Sequence, residues 1–383
     1  MQSTRAGALF GLGFVGVILF ANLVKYPAFR MGPTYAAVTG ESLIAGYARL
    51  GRWVVWMTAV ILLLVQAIII AATAITTAGI GVTLFGLNMD ARNAGVGLIV
   101  LAVLVCRRGG FNVLDQLNKL FVVTLTVCTV MATLLALPEV QWHWRVEPFA
   151  SMDVAVLLFA VAVMGFMPSA IDLSLVHSVW TLEKQRITPM HLSDHLFDFH
   201  VGYIGSAALA LCFLIMGAGV MYSADVQPET AAPAFARQVL RLYTTTLGEW
   251  SGLVVGISAL AVMFSTLLAV VDGAPRLQAA ALKVIRTQAQ HSHTTLTAIS
   301  IVMGALGCVI LLLFMTSFTR FIDFVTTTSF LLGPLFALLN HLAMTRDPVP
   351  SAYRLSGYLW WWSVISILLM TTVAAAYFYF RLS

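Results

Sequence analysis

The sequence predicts an all-α polytopic membrane protein, and three observations carry that prediction. Hydrophobic residues make up 60% of the 383 and charged residues only 10%, more apolar surface than one soluble core can bury, so lipid must cover the rest. Apolar runs of spanning length recur from Ala6 to Phe380; a helix needs about 20 such residues to cross a hydrocarbon core roughly 30 Å thick. The basic residues, finally, fall unequally into alternate loops. No Pro/Gly/Ser-rich or charged linker is long enough to separate domains, so 1–383 is expected to form a single integral membrane domain.

The ruler marks ten spans, at 7–24, 53–80, 93–106, 117–137, 154–180, 201–222, 251–272, 295–316, 321–344 and 357–380. The first follows Arg5 and stops at Lys25 without a small-x-small cleavage pattern, so it reads as a retained span rather than a signal peptide. The third is the shortest. Trp142 and Trp144 in one loop, and Trp360, Trp361 and Trp362 at the start of the last span, fit interfacial aromatic belts. Fourteen of the 21 Lys and Arg, beginning with Lys25, Arg30, Arg49 and Arg52, lie in one set of loops, and seven, beginning with Arg5 and Arg92, lie in the other. The richer set is expected on the cytoplasmic side, which suits the bacterial inner membrane. Ten spans then leave both termini outside, an awkward start for Met1-Gln2-Ser3-Thr4-Arg5, and something upstream is expected to be absent.

Several function classes fit poorly. The net charge of +5 is spread singly over short loops rather than massed on one face, which disfavours nucleic acid. Cys106, Cys128, Cys212 and Cys308 sit in or beside apolar runs without ligand spacing and read as packing residues. No Gly-x-Ser-x-Gly elbow, His-Glu-x-x-His pair or phosphate-binding loop supports an enzyme.

The most informative segment interrupts the fifth span. Gly165-Phe166-Met167-Pro168-Ser169-Ala170-Ile171-Asp172 places a proline, a flexible glycine and a carboxylate within two turns, well inside the bilayer. Discontinuous helices expose carbonyls and half-helix ends that coordinate ions or polar substrates near the midplane. Candidate ligands are Asp172, the thioether of Met167 and the carbonyls around Met167 and Ala170. His177, five residues after Asp172, is a candidate proton relay. The bland alternatives stay open: a proline kink with Asp172 paired to a neighbouring helix, a space-filling methionine and a packing histidine.

Several stretches resemble the Nramp family of divalent-metal transporters, in particular its divergent bacterial relatives, over essentially the whole chain. They are Gln2-Ser3-Thr4-Arg5-Ala6-Gly7-Ala8, Asn22-Leu23-Val24-Lys25-Tyr26-Pro27, Gly32-Pro33-Thr34-Tyr35-Ala36-Ala37-Val38-Thr39-Gly40-Glu41-Ser42-Leu43, Met167-Pro168 and His177-Ser178. The resemblance implies a LeuT-like inverted-repeat fold in which the first helix of each five-helix repeat is broken at the ion site. It also implies about ten complete spans plus an N-terminal half-helix, residues 1–6 being the outer half of helix one. The implied activity is alternating-access transport of a divalent cation such as manganese or iron, coupled to protons, with no cofactor. Two departures matter. The family's Asp-Pro-Gly-Asn motif in helix one is absent. In helix six the family's Met-Pro-His-Asn becomes Met167-Pro168-Ser169-Ala170, with His177-Ser178 one turn late; aligned backwards from His177, Ala170 would take the place of the ligating methionine. The remaining candidate ligands are Met167, the Ala170 carbonyl and Asp172, with Gln2, Ser3 and Thr4 as polar neighbours from the half-helix.

Other polar positions read as structural. Asp115 and Lys119 suit a surface ion pair, Asp272 a helix-ending turn, and Asp323 and His341 the two interfaces of one span. The Asp/His-rich stretch 182–200 suggests a solvated loop before it suggests a regulatory metal site. Beside the metal transporter stand two alternatives: a transporter of the same fold for a small organic solute, and a truncated or non-transporting membrane subunit.

Overall fold

A computed structural model of the chain describes residues 1–108, 111–140, 142, 153–187, 191–286 and 293–382, with the backbone alone described for 111–118 and 293. The described residues are helical without strands. In order they form α1 (Gln2–Phe10), α2 (Val15–Thr39), α3 (Leu43–Leu50), α4 (Arg52–Leu84), α5 (Ala91–Arg108) and α6 (Phe111–Ala136). The second half follows with α7 (Val154–Gly165), α8 (Leu173–Ile187), α9 (Leu192–Met216), α10 (Ala232–Leu247), α11 (Trp250–Arg286), α12 (His293–Phe314), α13 (Phe318–Leu331), α14 (Gly333–Met344) and α15 (Gly357–Leu382). Eight helical segments among the described residues are long and apolar enough to cross a membrane. The two other expected spans correspond to α5 and to the broken pair α7 and α8. Below, "inner" means the Lys- and Arg-rich end.

The first expected span is not one helix. Gly11, at φ 55, turns the chain through a short 3₁₀ segment between α1 and α2, a backbone region open to glycine without steric cost. From there α2 runs on to Thr39, so Lys25 does not close a span; it sits mid-helix, 1% exposed. Pro27 lacks the N–H that would bond the Leu23 carbonyl one turn back. The Trp362 indole donates to that carbonyl at 3.1 Å and stacks on Tyr26 with centroids 4.8 Å apart. Trp362 therefore repairs a proline kink, whereas Trp361 stays 62% exposed, as an interfacial anchor would.

The helices pack where small residues let backbones meet. Against α8, α2 approaches through Gly32, whose added Cβ would lie 2.1 Å from the Ser174 carbonyl oxygen. At Gly165, α7 meets α13, where a Cβ would lie 1.8 Å from the Thr326 carbonyl oxygen. On α9, which ends in a π-turn at Gly217–Tyr222, α1 docks at Gly7 and Gly217; side chains there would strike the Leu214 and Thr4 carbonyl oxygens at 2.1 and 2.4 Å. A longer-range frame forms where α4 packs along α11, with α5 and α12 beside them and α10 laid across α4, α6 and α11.

Several boundary expectations are corrected. Asp272 does not end a helix, because α11 continues to Arg286; its carboxylate accepts from Arg276 Nε at 2.7 Å and lies 3.4 Å from Arg107 of α5. His341 is not interfacial: it is buried, with Nδ1 2.9 Å from the Ser363 hydroxyl of α15. The expected span 321–344 bends at Leu332 into α13 and α14, where Pro334 opens the second piece. Most of 182–200 is helix rather than loop, with Lys184 and Asp198 joined at 2.6 Å and His200 Nε2 2.7 Å from the Tyr26 hydroxyl. No cluster of three or more His, Cys, Asp or Glu suited to a metal occurs among the described residues. The Asp115 side chain, and with it the Asp115–Lys119 pair, and Trp144 lie outside the described residues.

The close approach at Gly165 yields a test. Gly165→Ala is expected to cost roughly 1–3 kcal/mol, the usual range for overpacking, and to lower the thermal midpoint of the detergent-solubilised protein. Gly16→Ala, where an added Cβ meets nothing within 4 Å, should leave the midpoint unchanged or raise it. Equal midpoints for the two variants would refute the tight α7–α13 contact.

Candidate functional site

The site begins with the break between α7 and α8. Asp153 caps α7 by accepting from Ala155 N at 2.9 Å, which sets the helix on course toward the protein centre. Pro168 then removes the donor that the Met164 carbonyl would use one turn on. The chain resumes as α8 only when Leu173 N bonds the Ala170 carbonyl at 3.1 Å and Ser174 N the Ile171 carbonyl at 2.9 Å. The Ala170 carbonyl is thus occupied by the first turn of α8. Earlier in the break lie the carbonyl of Met164, which also accepts from Met167 N at 3.3 Å, and those of Gly165 and Ser169. Lys25 reaches in from α2 and donates to all three, at 2.6, 2.7 and 3.0 Å.

On the other side of the break lies a cavity of about 590 Å³ bordered by α1, α4, α8, α11 and α13. Asp172 and Met167 both line it, and both are nearly buried, at 3% and 6% exposure. The Asp172 carboxylate accepts a hydrogen bond from Gln66 Nε2 of α4. Gln66 is not among the residues expected from sequence, although an amide in the middle of the apolar run of α4 is a readable signal. Met167 Sδ accepts from the Ser3 hydroxyl at 3.7 Å. The structure therefore brings Met167, Asp172 and Gln2 to one cavity wall, with Ser3 held against Met167. Thr4 does not line the cavity: its backbone carbonyl faces Gly217, and its buried hydroxyl has no hydrogen-bond partner among the described residues.

Gln2, on the cavity wall, joins Arg5 in a polar cluster toward the outer end. Arg5 holds Asp323 of α13 through both guanidinium nitrogens, at 2.6 and 3.1 Å. Gln2 donates to Asp323 at 2.8 Å and to the Thr326 hydroxyl at 3.1 Å, and accepts from Arg5 at 2.8 Å. The bidentate geometry makes this a strong pair, and with the Asp323 side chain still 33% exposed it sits where a small separation would admit water. Arg5, counted with the outer loops by charge and with the outer half of helix one by resemblance, lies on α1, and its pair with Asp323 is a candidate latch.

His177 is placed differently. It lines a second cavity, about 560 Å³, between α2, α8 and α9, and its ring lies 5.9 Å from that of Trp180. Ser169, Leu173 and Trp180 border both cavities, so the break forms the partition between them. Lys184, His195 and Asp198 line the inner part of the second cavity.

Comparison with known proteins identifies the family and the fold. Residues 2–380 match the family described as Natural resistance-associated macrophage protein-like, Nramp. An uncharacterised protein of Pasteurella multocida (strain Pm70) is 31% identical over 345 residues, which cover 89% of this chain and 79% of that protein. Among solved structures, a mutant of the Eremococcus coleocola manganese transporter superposes with a TM-score of 0.73 at 13% identity, over 97% of this chain and 81% of that one. MhsT in complex with L-phenylalanine superposes with a TM-score of 0.68 at 15% identity, over 99% and 93%. The fold is therefore the LeuT-like one, and the chain is an integral, multi-pass membrane protein.

The latch carries its own prediction. In a chain whose cysteines are first replaced by serine, Thr73→Cys, on the cavity wall, reports access to a membrane-impermeant maleimide. Adding Asp323→Asn should speed labelling from the outer side roughly tenfold, the change in population that about 1.4 kcal/mol produces. Unchanged labelling would show that the pair does not close the cavity.

Proposed function

The chain belongs to the Nramp family, a family of transporters rather than enzymes, and from that premise we propose that it moves a divalent metal cation across the bacterial inner membrane by alternating access, coupled to protons. The observation that carries this reading is the meeting of Asp172 and Met167, both nearly buried, on one cavity beside a broken helix. Asp172 supplies the single hard, anionic ligand, and Gln66 orients its carboxylate. Met167 adds a soft thioether, which favours manganese, iron and their neighbours over calcium and magnesium. Polar side chains on the same wall, Gln2 and Thr326 among them, would complete the shell with water. That a protein of the same fold is named as a manganese transporter supports the same class of cargo.

Alternating access then needs one gate at each end. The outer gate is the Arg5–Asp323 latch, which breaks when α1 and α13 separate. The inner route runs past the break into the second cavity, where His177 is the proton relay we assign. A cation arriving at Asp172 displaces a proton from that carboxylate, and His177, on the far side of the partition, is the group able to pass a proton on.

One observation favours a second reading. A cavity of about 590 Å³ lies within the range of small-molecule sites, roughly 300–1,000 Å³, so an organic solute would fit where a bare metal ion leaves space for several waters.

Uptake of manganese, iron and calcium into proteoliposomes, with and without an inward proton gradient, tests the proposal. The native chain should take up manganese or iron faster with the gradient. Asp172→Asn should abolish uptake, Gln66→Leu should reduce apparent affinity about tenfold, as loss of a ligand-orienting partner does, and Met167→Ala should erode the preference over calcium. Equal uptake by the native chain and Asp172→Asn would remove Asp172 from the mechanism. An absence of uptake of any divalent ion would favour the solute reading.

A further inference from the structure

Lys25 is the group the proposed transport cycle does not use. Its position is unusual for a lysine: mid-helix in α2, 1% exposed, with its ammonium nitrogen bonded to three backbone carbonyls. Carbonyl oxygens only accept, so three of them at 2.6, 2.7 and 3.0 Å call for three N–H donors. A neutral amine has two and an ammonium three. The geometry therefore describes a positive charge seated in a cup of carbonyls, with the Phe330 ring 6.0 Å away on a further side, a distance at which an aromatic face attracts a cation.

A cup of converging carbonyls at the end of a half-helix is the chemistry of a monovalent-cation site. The carbonyls of a helix C-terminus carry partial negative charge, and unwound carbonyls in a broken membrane helix coordinate small cations. We propose that Met164, Gly165 and Ser169 form a seat for a monovalent cation of the alkali or primary-ammonium class, and that Lys25 fills it from within as a tethered cation. The seat and the Asp172 carboxylate are separate sites on the two sides of the break. Lys25 supplies the first with a cation from within the chain, which leaves the second free for cargo. The native chain consequently needs no sodium or potassium at the break, whatever cargo the cavity takes.

The test vacates the seat and offers replacements. Thermal midpoints of the full-length protein in detergent are measured for the native chain, Lys25→Ala and Lys25→Met in chloride salts of N-methyl-D-glucamine, sodium, potassium, methylammonium and tetramethylammonium at equal ionic strength. Relative to the native chain, Lys25→Ala should melt several degrees lower in N-methyl-D-glucamine. It should regain most of that loss, saturably, in methylammonium or in one of the alkali cations, and none in tetramethylammonium, which has no N–H to donate and is too large for the cup. Lys25→Met, whose side chain fills the approach without a charge, should melt low in every salt. The proposal fails if Lys25→Ala is as stable as the native chain in N-methyl-D-glucamine. It fails equally if no small cation restores that variant, including the case in which it does not fold in any salt, because the seat would then not accept an exchangeable cation. Rescue of Lys25→Met to the same degree would reduce the effect to a general action of salt and would also overturn it.

Discussion

A helix that stops inside a bilayer exposes carbonyl groups to surroundings that hold no water to bond them, and each such group left unpaired costs several kcal/mol. The ending of α7 at Gly165 imposes that constraint, and the neighbouring elements of the fold answer it. Lys25 bonds the carbonyls of Met164, Gly165 and Ser169. To bring it there, α2 must lie close to the break, and Gly32 permits this by allowing α2 to touch the backbone of α8 at Ser174. Just beyond, Asn340 of α14 bonds both the Ala28 carbonyl and the Ser174 hydroxyl, and accepts from Tyr47 of α3. One proline after α7 thus sets the position of helices from both halves of the chain.

Charge follows the same logic. Ionisable groups in the middle of the protein are costly without compensation, and Arg5, Lys25 and Asp172 are each given partners close by. Arg5 is matched by the opposite charge of Asp323, and Lys25 by three carbonyl dipoles. Asp172 receives a side-chain hydrogen bond from the neutral Gln66 amide, so its carboxylate retains acceptor capacity directed at the cavity. The arrangement leaves a carboxyl group only partly satisfied, able to give up a proton where a positive cargo would arrive.

Much of the fold was legible in the sequence, because bilayer thickness imposes a length on every apolar run and Pro168 with Asp172 marks its own segment. The expected spans from 53–80 to 357–380 coincide with helices to within a few residues at most ends. What the sequence hid were charges buried by tertiary contacts. Lys25 after a long apolar run is indistinguishable from a span boundary until the carbonyls of a segment about 140 positions away come to meet it. Asp323 and His341 read as interfacial, and Asp272 as a helix-ending turn, for the same reason: each is a polar residue near the end of an apolar run, and a partner on another helix, Arg5, Ser363 or Arg107, reaches it only in the fold. Of the candidate site, Met167 and Asp172 were readable from local oddity, and Ser3 and Gln2 from resemblance. Gln66 and Lys25 needed the structure.

The contact between α1 and α9 has a mechanical meaning of its own. Gly7 against Leu214 and Gly217 against Thr4 press two main chains together with no side chain between them to slide or change rotamer. Such a joint transmits displacement with little slack. If α1 tilts away from α13, the end of α9 that it touches must tilt with it, and the π-turn at Gly217–Tyr222 is the knuckle at which that leverage is absorbed or passed to the loop beyond.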